Sequence, residues 1–199
     1  MSPHVAATTP YPWPYDGDLD GPATALLVVL APPGSGTLEP AAVCTVHGLA
    51  REVRRRGGVV LLARTRHPRR GSRPALPAAP DDDGALGGLA VDLTIEAGGL
   101  DAFYGSDLDL VLRRRGVRRL ILVGTGLETA VHSTMRDAND RGYECLLVVD
   151  ACAPVDSALV SAAVSTVEMS GGIFGAVGTA AHVLDALATP APSAEGAPR

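Results

Sequence analysis

The feature of this sequence that most constrains its fold is a set of short apolar runs, each long enough for one β-strand. The clearest are TALLVVLA (24–31), VVLLAR (59–64), RLILVG (119–124) and ECLLVVD (144–150), with shorter candidates at 91–95 and within 171–179. A strand that is apolar throughout has to be covered on both faces, as in a parallel sheet. The intervening segments have helical length, at 40–56, 105–115, 128–141, 157–170 and up to 187. We therefore predict an α/β fold with three αβα layers and a Rossmann-like, six-stranded, mostly parallel sheet.

Domain boundaries follow from where this alternation stops. Residues 1–22 hold Pro, Tyr, Trp and Asp without periodicity, and we predict an N-terminal arm. Residues 23–188 form the predicted single domain, in which the Arg-, Pro-, Asp- and Gly-rich stretch 66–90 is a surface loop. The Pro-, Ala- and Ser-rich tail 189–199 is predicted to be disordered.

Composition narrows the possible partners and the compartment. The net charge of −5 argues against nucleic acid, which requires a basic face. The three cysteines do not make a disulfide framework and indicate a reducing compartment. The sequence has no apolar stretch of membrane-spanning length and no secretory signal pattern, so we expect a cytoplasmic protein without a membrane partner.

Nothing in the sequence points to a cofactor or a metal. The glycines of GTG (124–126) are not followed by the spacing of a dinucleotide loop, and PPGSG (32–36) lacks the Lys-Ser/Thr of a phosphate loop. The five histidines show no metal-ligand spacing. We therefore predict neither a cofactor nor a metal ion.

The strongest candidate site is the strand-to-helix elbow that begins at Gly124, because open α/β folds place ligands at the carboxyl ends of their strands. The segment GTGLETAVHSTMRDANDRGYEC offers Glu128, Thr129 and Ala130 in the first helical turn, with no cysteine and no serine before Ser133. The elbow has the shape of a catalytic site but lacks a nucleophile.

Several side chains could line a pocket at this elbow. Glu96 and Glu128 could converge as an acid and a base, with His132 pointing toward them. In the structural alternative, Glu128 favours the helix N-terminus, Glu96 faces solvent and His132 is hydrogen-bonded within the protein. Further pocket candidates are Thr125 and Gly126 in the elbow, and Phe103 and Tyr104, which otherwise pack the crossover.

The segment from Ala102 to Ala153, which includes AFYGSDLDLVLRRRGVRRLILVGTGLETAVHSTMRDANDRGYECLLVVDACA, closely resembles the isochorismatase-like cysteine hydrolases. The segments YPWPYDGDLDGPATALLVV and VEMSGGIFGAV resemble the biuret and ureidoacrylate amidohydrolase branch of that superfamily. The resemblance covers most of residues 11–187 and is weakest at 31–56 and 66–95.

The resemblance implies an Asp–Lys–Cys triad in which the cysteine attacks an amide carbonyl and backbone amides at the elbow bind the oxyanion. The positions of this chain that match the triad hold Leu30, Glu96 and Ala130. Leucine has no proton acceptor, glutamate has the wrong charge to stabilise a thiolate, and alanine has no nucleophile. The resemblance therefore predicts a pseudoenzyme that has lost the amidohydrolase triad.

Three functions remain open at the sequence level. The favoured one is a subunit that binds a small polar ligand or a partner, either as a homo-oligomer (dimer or tetramer, as the resemblance implies) or beside an active paralogue. The second is a divergent hydrolase of a small amide, ureide or vinyl ether that uses Glu96, Glu128 or His132 as acid or base. The third is a purely structural assembly module without a ligand.

Overall fold

The computed structural model describes residues 4–67 and 86–188, and these residues contain six strands and five helices. The strands are β1 (Thr24–Leu30), β2 (Val59–Arg64), β3 (Leu93–Glu96), β4 (Arg119–Thr125), β5 (Glu144–Ala153) and β6 (Ala176–Gly178). The helices are α1 (Pro40–Arg55), α2 (Leu108–Arg114), α3 (His132–Asp140), α4 (Val160–Met169) and α5 (Ala180–Ala188), and the order along the chain is β1-α1-β2-β3-α2-β4-α3-β5-α4-β6-α5. A π-helical turn, Leu127–Val131, precedes α3, and a 3₁₀ turn, Ser157–Leu159, precedes α4.

The strands form one sheet in the order β3-β2-β1-β4-β5-β6, and every pairing within it is parallel. The predicted α/β class and the six-stranded parallel sheet are confirmed. The strand order reverses between β1 and β4, and such a switch point opens a crevice at the carboxyl ends of the two strands. The predicted elbow lies at this point.

Each face of the sheet has its own core. Leu26 and Val28 of β1 pack with α1 and α5, whereas Leu27 and Val29 pack with α2, α3 and α4. Successive side chains of a strand point to opposite faces, so a strand with helices on both sides is apolar at every position. This is why the β1 run reads as unbroken hydrophobic sequence.

Some element boundaries differ from the sequence-based ones. Strand β5 extends three residues beyond the predicted 144–150, because its pairing with β4 shifts register between Leu122 and Gly124. Such an irregularity inserts residues that hydrophobic periodicity does not reveal. Helix α2 begins at Leu108 rather than at Gly105, because Ser106 bonds to Ala102 O and Leu108 N and so completes a turn before the helix.

Residues 4–22 of the arm pack against the domain. Trp13 is fully buried in the core beneath α1, and Thr9 forms an isolated antiparallel bridge with Val177 of β6. Asp16 forms an ion pair of 2.6 Å with the buried Arg119 at the start of β4. The arm therefore covers the β6 edge and the amino end of the central strands.

No helix within residues 4–67 and 86–188 combines the length and the apolar character that a membrane crossing requires. The predicted tail, 189–199, and most of the predicted surface loop lie outside the described residues.

Candidate functional site

The GTG segment brings β4 into close contact with β1. Gly124 has φ 136°, and a side chain there would collide with the carbonyl oxygen of Val29. Gly126 has φ 70°, and its Cβ would lie 2.9 Å from Cβ of Ala31. Between the glycines, the buried hydroxyl of Thr125 accepts a 2.9 Å hydrogen bond from the Ala31 amide. These three residues therefore hold two strand ends together, a role that requires glycine where the backbones meet.

Ala130 lies in the π-helical turn that follows the elbow. The amides of Thr129 and Val131 both donate to Gly126 O, at 3.0 and 3.1 Å, which closes the turn tightly. The exposed fraction of Ala130 is 0%, and its methyl group belongs to the core formed with α2, α3 and α4. The residue at the nucleophile position implied by the resemblance is therefore closed to water.

Leu30 is the last residue of β1, and its carbonyl oxygen accepts from the Thr65 amide at 2.9 Å and from the Thr65 hydroxyl at 3.1 Å. Its side chain packs against the core beneath α1, on the other face of the sheet from Ala130. Leu30 pairs with Arg64 of β2, and Arg64 pairs with Glu96 of β3. Leu30 and Glu96 thus lie in one row along the carboxyl edge, two strands apart.

Glu96 forms ion pairs with two arginines. Its carboxylate lies 3.0 Å from Arg66 and 3.8 Å from Arg64, and its side chain is about half exposed. It borders an open groove of about 480 Å³ between β3 and the loop before α2, which also includes Thr94, Ser106 and Asp107 in its lining. This groove lies at the sheet edge, away from the elbow.

Glu128 accepts hydrogen bonds from the amides of Val155 (3.1 Å) and Asp156 (2.6 Å). The carboxylate therefore fixes the loop between β5 and α4. This contact corresponds to neither of the predicted roles of Glu128, which were acid–base chemistry and electrostatic stabilisation of the helix N-terminus. Strands β1 and β2 separate β4 from β3, which amounts to about 14 Å at normal strand spacing. Glu96 and Glu128 therefore do not converge on one pocket.

His132 is half-buried at the start of α3, and its Nδ1 accepts from Nε of Arg136 at 3.3 Å. Burial first, and the nearby Arg136 charge second, lower the pKa of His132. Because Nδ1 accepts a hydrogen bond, the proton of the neutral ring belongs on Nε2. Nε2 is buried and has no partner among the described residues. The Arg136 guanidinium also stacks on Phe174, 4.1 Å from the ring centroid.

The two aromatic candidates have different surroundings. Phe103 is buried, stacks on Tyr143 with a 5.9 Å centroid separation, and lies beneath the Arg141 guanidinium. It therefore packs the crossover. Tyr104 is exposed beside Gly99, and its carbonyl accepts from the Gly98 amide at 2.7 Å.

Two groups near the sheet edge were not found from the sequence. Arg64 and Arg66 supply positive charge beside Glu96, but arginines at the end of a strand resemble ordinary surface charges. Asp101 has a second carboxyl group, that of Asp137 on α3, as a neighbour, and burial, together with this neighbour, raises the pKa of Asp101 to about 6. The two aspartates are distant in sequence, so only the fold brings them together.

The described part of the chain contains no group of three or more His, Cys, Asp or Glu that could hold a metal ion. Cys152 is the thiol nearest the elbow, since it pairs with Gly124 across β4 and β5. Burial and, to a lesser extent, the Asp150 charge raise the pKa of Cys152 to about 12. The thiol is therefore protonated at neutral pH.

Comparison with known proteins identifies the same family that the motifs indicated. The sequence model of the isochorismatase domain matches residues 37–182. An isochorismatase family protein of Bacillus subtilis is 34% identical over 100 residues, which are 48% of this chain and 51% of that protein. Ureidoacrylate amidohydrolase RutB of Acinetobacter baylyi is 38% identical over 61 residues, 31% of this chain and 25% of that protein. These alignments thus span at most about half the length of either relative.

Solved structures match this chain over a longer stretch than these two sequence relatives do. An isochorismatase family protein of Burkholderia thailandensis has a TM-score of 0.70 and 27% identity, and the match covers 84% of this chain and 97% of that one. N-carbamoylsarcosine amidase of Thermoplasma acidophilum has a TM-score of 0.59 and 23% identity over 79% of this chain and 96% of that one. At 23% identity, the match to N-carbamoylsarcosine amidase shows a similar fold and nothing further.

Proposed function

Because this chain belongs to the isochorismatase family and is a cysteine hydrolase-like protein, we propose that it is a non-hydrolysing member that acts as a partner subunit. Its partner is another copy of itself or an active paralogue. The observation that carries the proposal is Ala130, a fully buried methyl group at the position where the resemblance implies a nucleophilic cysteine.

The chemistry of the other positions supports the same conclusion. The sequence contains no lysine, so no lysine elsewhere in this chain can take the place of the missing one. Glu96 is held by Arg64 and Arg66, and Leu30 packs into the core beneath α1. Loss of an acting nucleophile in a hydrolase costs on the order of 10⁶ in rate.

The structural surroundings argue against the alternative of a divergent acid–base hydrolase. Glu128 already accepts from two backbone amides, Glu96 lies at the sheet edge, and the His132 ring bonds to Arg136. An acid and a base have to reach the same substrate within about 3 Å, and these three side chains have separate partners. Cys152 is no substitute nucleophile, because burial raises the pKa of its thiol to about 12.

The test is an ammonia-release assay with ureidoacrylate, biuret and simple amides. We expect no turnover by the wild-type chain, whose fold is checked by circular dichroism. The triple variant Leu30→Asp, Glu96→Lys, Ala130→Cys is assayed beside a control variant, Ala90→Cys, which adds a thiol at an exposed position. Activity in the triple variant alone would mean that the elbow retains an oxyanion site.

Turnover by wild-type protein would overturn the proposal. If Glu96→Gln abolished that turnover and its dependence on pH, the acid–base alternative would replace the proposal of a non-hydrolysing subunit. If Cys152→Ala abolished the turnover, the thiol near the elbow would be the nucleophile instead.

A further inference from the structure

The two edges of the sheet differ in their backbone partners. At the β6 edge, Thr9 of the arm exchanges two backbone hydrogen bonds with Val177, of 3.0 and 2.7 Å. At the opposite edge, no backbone group within residues 4–67 and 86–188 pairs with the outer side of β3. An unpaired strand edge presents N–H and C=O groups that are ready to bond to a further strand.

The register of β3 defines which of its backbone groups face outward. Arg64 pairs with Glu96, and the Ala97 amide donates to Arg64 O at 2.9 Å. Because successive residues of a strand direct their backbone groups to opposite sides, Ile95 also bonds to β2. Thr94 and Glu96 therefore direct their N–H and C=O groups to the free edge.

The groove between β3 and the loop before α2 lies beside these backbone groups. Its volume of about 480 Å³ is in the range of ligand sites. Its apolar lining consists of Leu93, Ile95 and Val111, and the Leu93 side chain is 37% exposed. An extended segment in this groove would have backbone partners along β3 and apolar contacts with these side chains.

One end of the groove carries an unpaired negative charge. Asp107 is exposed and makes no side-chain cap bond at α2. In the part of the chain that the structure describes, its carboxylate has neither a hydrogen bond nor an ion pair. Glu96, the other acid of the lining, already contacts Arg64 and Arg66. A basic side chain is therefore the complementary group for Asp107, and the net charge of −5 also favours a basic ligand.

We propose that the free edge of β3 is a peptide-binding site, which takes an extended segment of a partner protein as a seventh strand. The segment runs antiparallel to β3, as the arm does beside β6, and this direction is the more stable one. Its side chains alternate between apolar and polar, and the apolar ones face the groove. The site goes beyond the proposed subunit role and holds whether or not the chain hydrolyses amides.

The position of Asp107 defines where the basic residue of the segment belongs. A Cβ at Gly105 would lie 3.6 Å from Cα of Gly98, so this loop is at the carboxyl end of β3. The amino end of an antiparallel segment lies at the same end. The basic residue is therefore the first residue of the segment.

A five-residue peptide with the sequence Lys-Thr-Val-Thr-Val meets these conditions. In an antiparallel pair, the residues opposite Thr94 and Glu96 exchange both backbone hydrogen bonds with them. The residues opposite Leu93 and Ile95 place their side chains on the groove face. The two threonines of the peptide take the bonded positions, the two valines face the groove, and the lysine lies beside Asp107.

The experiment is an NMR titration of the isotope-labelled full chain with this peptide, acetylated and amidated at its ends. We expect saturable binding, with the largest shift changes at the amides of Thr94 and Glu96. N-methylation of both threonines of the peptide removes its donors to β3 and should weaken binding at least about tenfold. N-methylation of both valines, whose N–H groups face away from β3, is the matched control and should change the dissociation constant less than about twofold.

Asp107→Asn tests the charge of the site. It should weaken binding of the lysine peptide about fivefold, and it should not affect a peptide in which norleucine replaces the lysine. Asp140→Asn, which changes an exposed acid at the end of α3, is the control variant and should bind like wild type. Equal affinities of Asp107→Asn and Asp140→Asn for the lysine peptide would overturn the assignment of a basic residue.

Three outcomes would overturn the site itself. The first is no saturable binding up to about 2 mM peptide, and the second is equal weakening by the two N-methylated peptides. The third is protection of the Thr94 and Glu96 amides from hydrogen exchange in the chain without peptide. That protection would mean that another part of this chain, or a second copy, occupies the edge.

Discussion

The two glycines that flank Thr125 have a structural function that a single methyl group should abolish. At Gly124 a Cβ would meet the Val29 carbonyl, and φ is 136°. We expect Gly124→Ala to lower the free energy of unfolding by several kcal/mol, on the order of 3 or more, because strand β1 has to move. Urea denaturation followed by circular dichroism measures the loss.

Gly142→Ala is the control for that prediction. Gly142 also has a positive φ, 87°, but a Cβ at this position would have no neighbouring atom within 4 Å. The variant should lose only about 1 kcal/mol, the cost of the left-handed backbone. Equal losses in the two variants would show that strain, and not the contact with β1, explains Gly124.

Asp101 should make the unfolding free energy depend on pH. Burial and Asp137 raise the pKa of Asp101 to about 6 from 3.8, so the folded chain binds this proton more tightly than the unfolded chain does. The stabilisation is present below about pH 4 and is lost as the pH rises to about 6. Asp101→Asn should therefore stabilise the protein more at pH 8 than at pH 5, by about 1 kcal/mol after allowance for solvent screening.

The control for Asp101→Asn is Asp140→Asn, which changes an exposed acid at the end of α3. The change between pH 5 and pH 8 that is seen in Asp101→Asn beyond that of this control is assigned to Asp101. If Asp101→Asn showed no pH-dependent gain in urea titrations, the Asp101–Asp137 contact would not hold a proton in the folded state.

At the scale of elements, the first turn after β4 positions the loop that leads into α4. Glu128 accepts from the amides of Val155 and Asp156, so Glu128→Ala should free both amides. We expect hydrogen exchange at these two positions to accelerate about tenfold or more, because local opening no longer breaks two charge-assisted bonds. Glu39→Ala is the control, since Glu39 makes no side-chain cap bond at α1.

Hydrogen exchange measured by NMR distinguishes this structural role of Glu128 from a catalytic role. Unchanged exchange at Val155 and Asp156 in Glu128→Ala would contradict the structural role. The carboxylate would then be available for chemistry, and the acid–base alternative would regain support.

At the scale of the whole molecule, the arm and the domain should unfold together. Trp13 is the only tryptophan and is fully buried, and the Asp16–Arg119 ion pair joins the arm to β4. Trp fluorescence and far-UV circular dichroism should therefore give coincident urea transitions. A fluorescence transition at lower urea than the circular dichroism transition would mean that the arm detaches first.

Much of the fold could be predicted from the sequence, because hydrophobic pattern is a local property. The run at β1 is apolar at every position since helices cover both faces, and this sufficed to predict a parallel sheet. The register shift in β5 and the π-helical turn were not predictable. Both depend on how β4 and β5 pair, which no local pattern encodes.

For the candidate site, too, one part could be predicted from the sequence and another part could not. The residue types at Leu30, Glu96 and Ala130 were readable in the sequence, and the proposal that the chain does not hydrolyse amides starts from them. Only the tertiary structure decided that Glu96 and Glu128 lie apart and that Glu128 binds backbone amides. Side-chain identity is a property of the sequence, whereas distances and partners depend on the order of the strands in the sheet, so the sequence determined which side chains stand at these positions and the fold determined what each of them contacts.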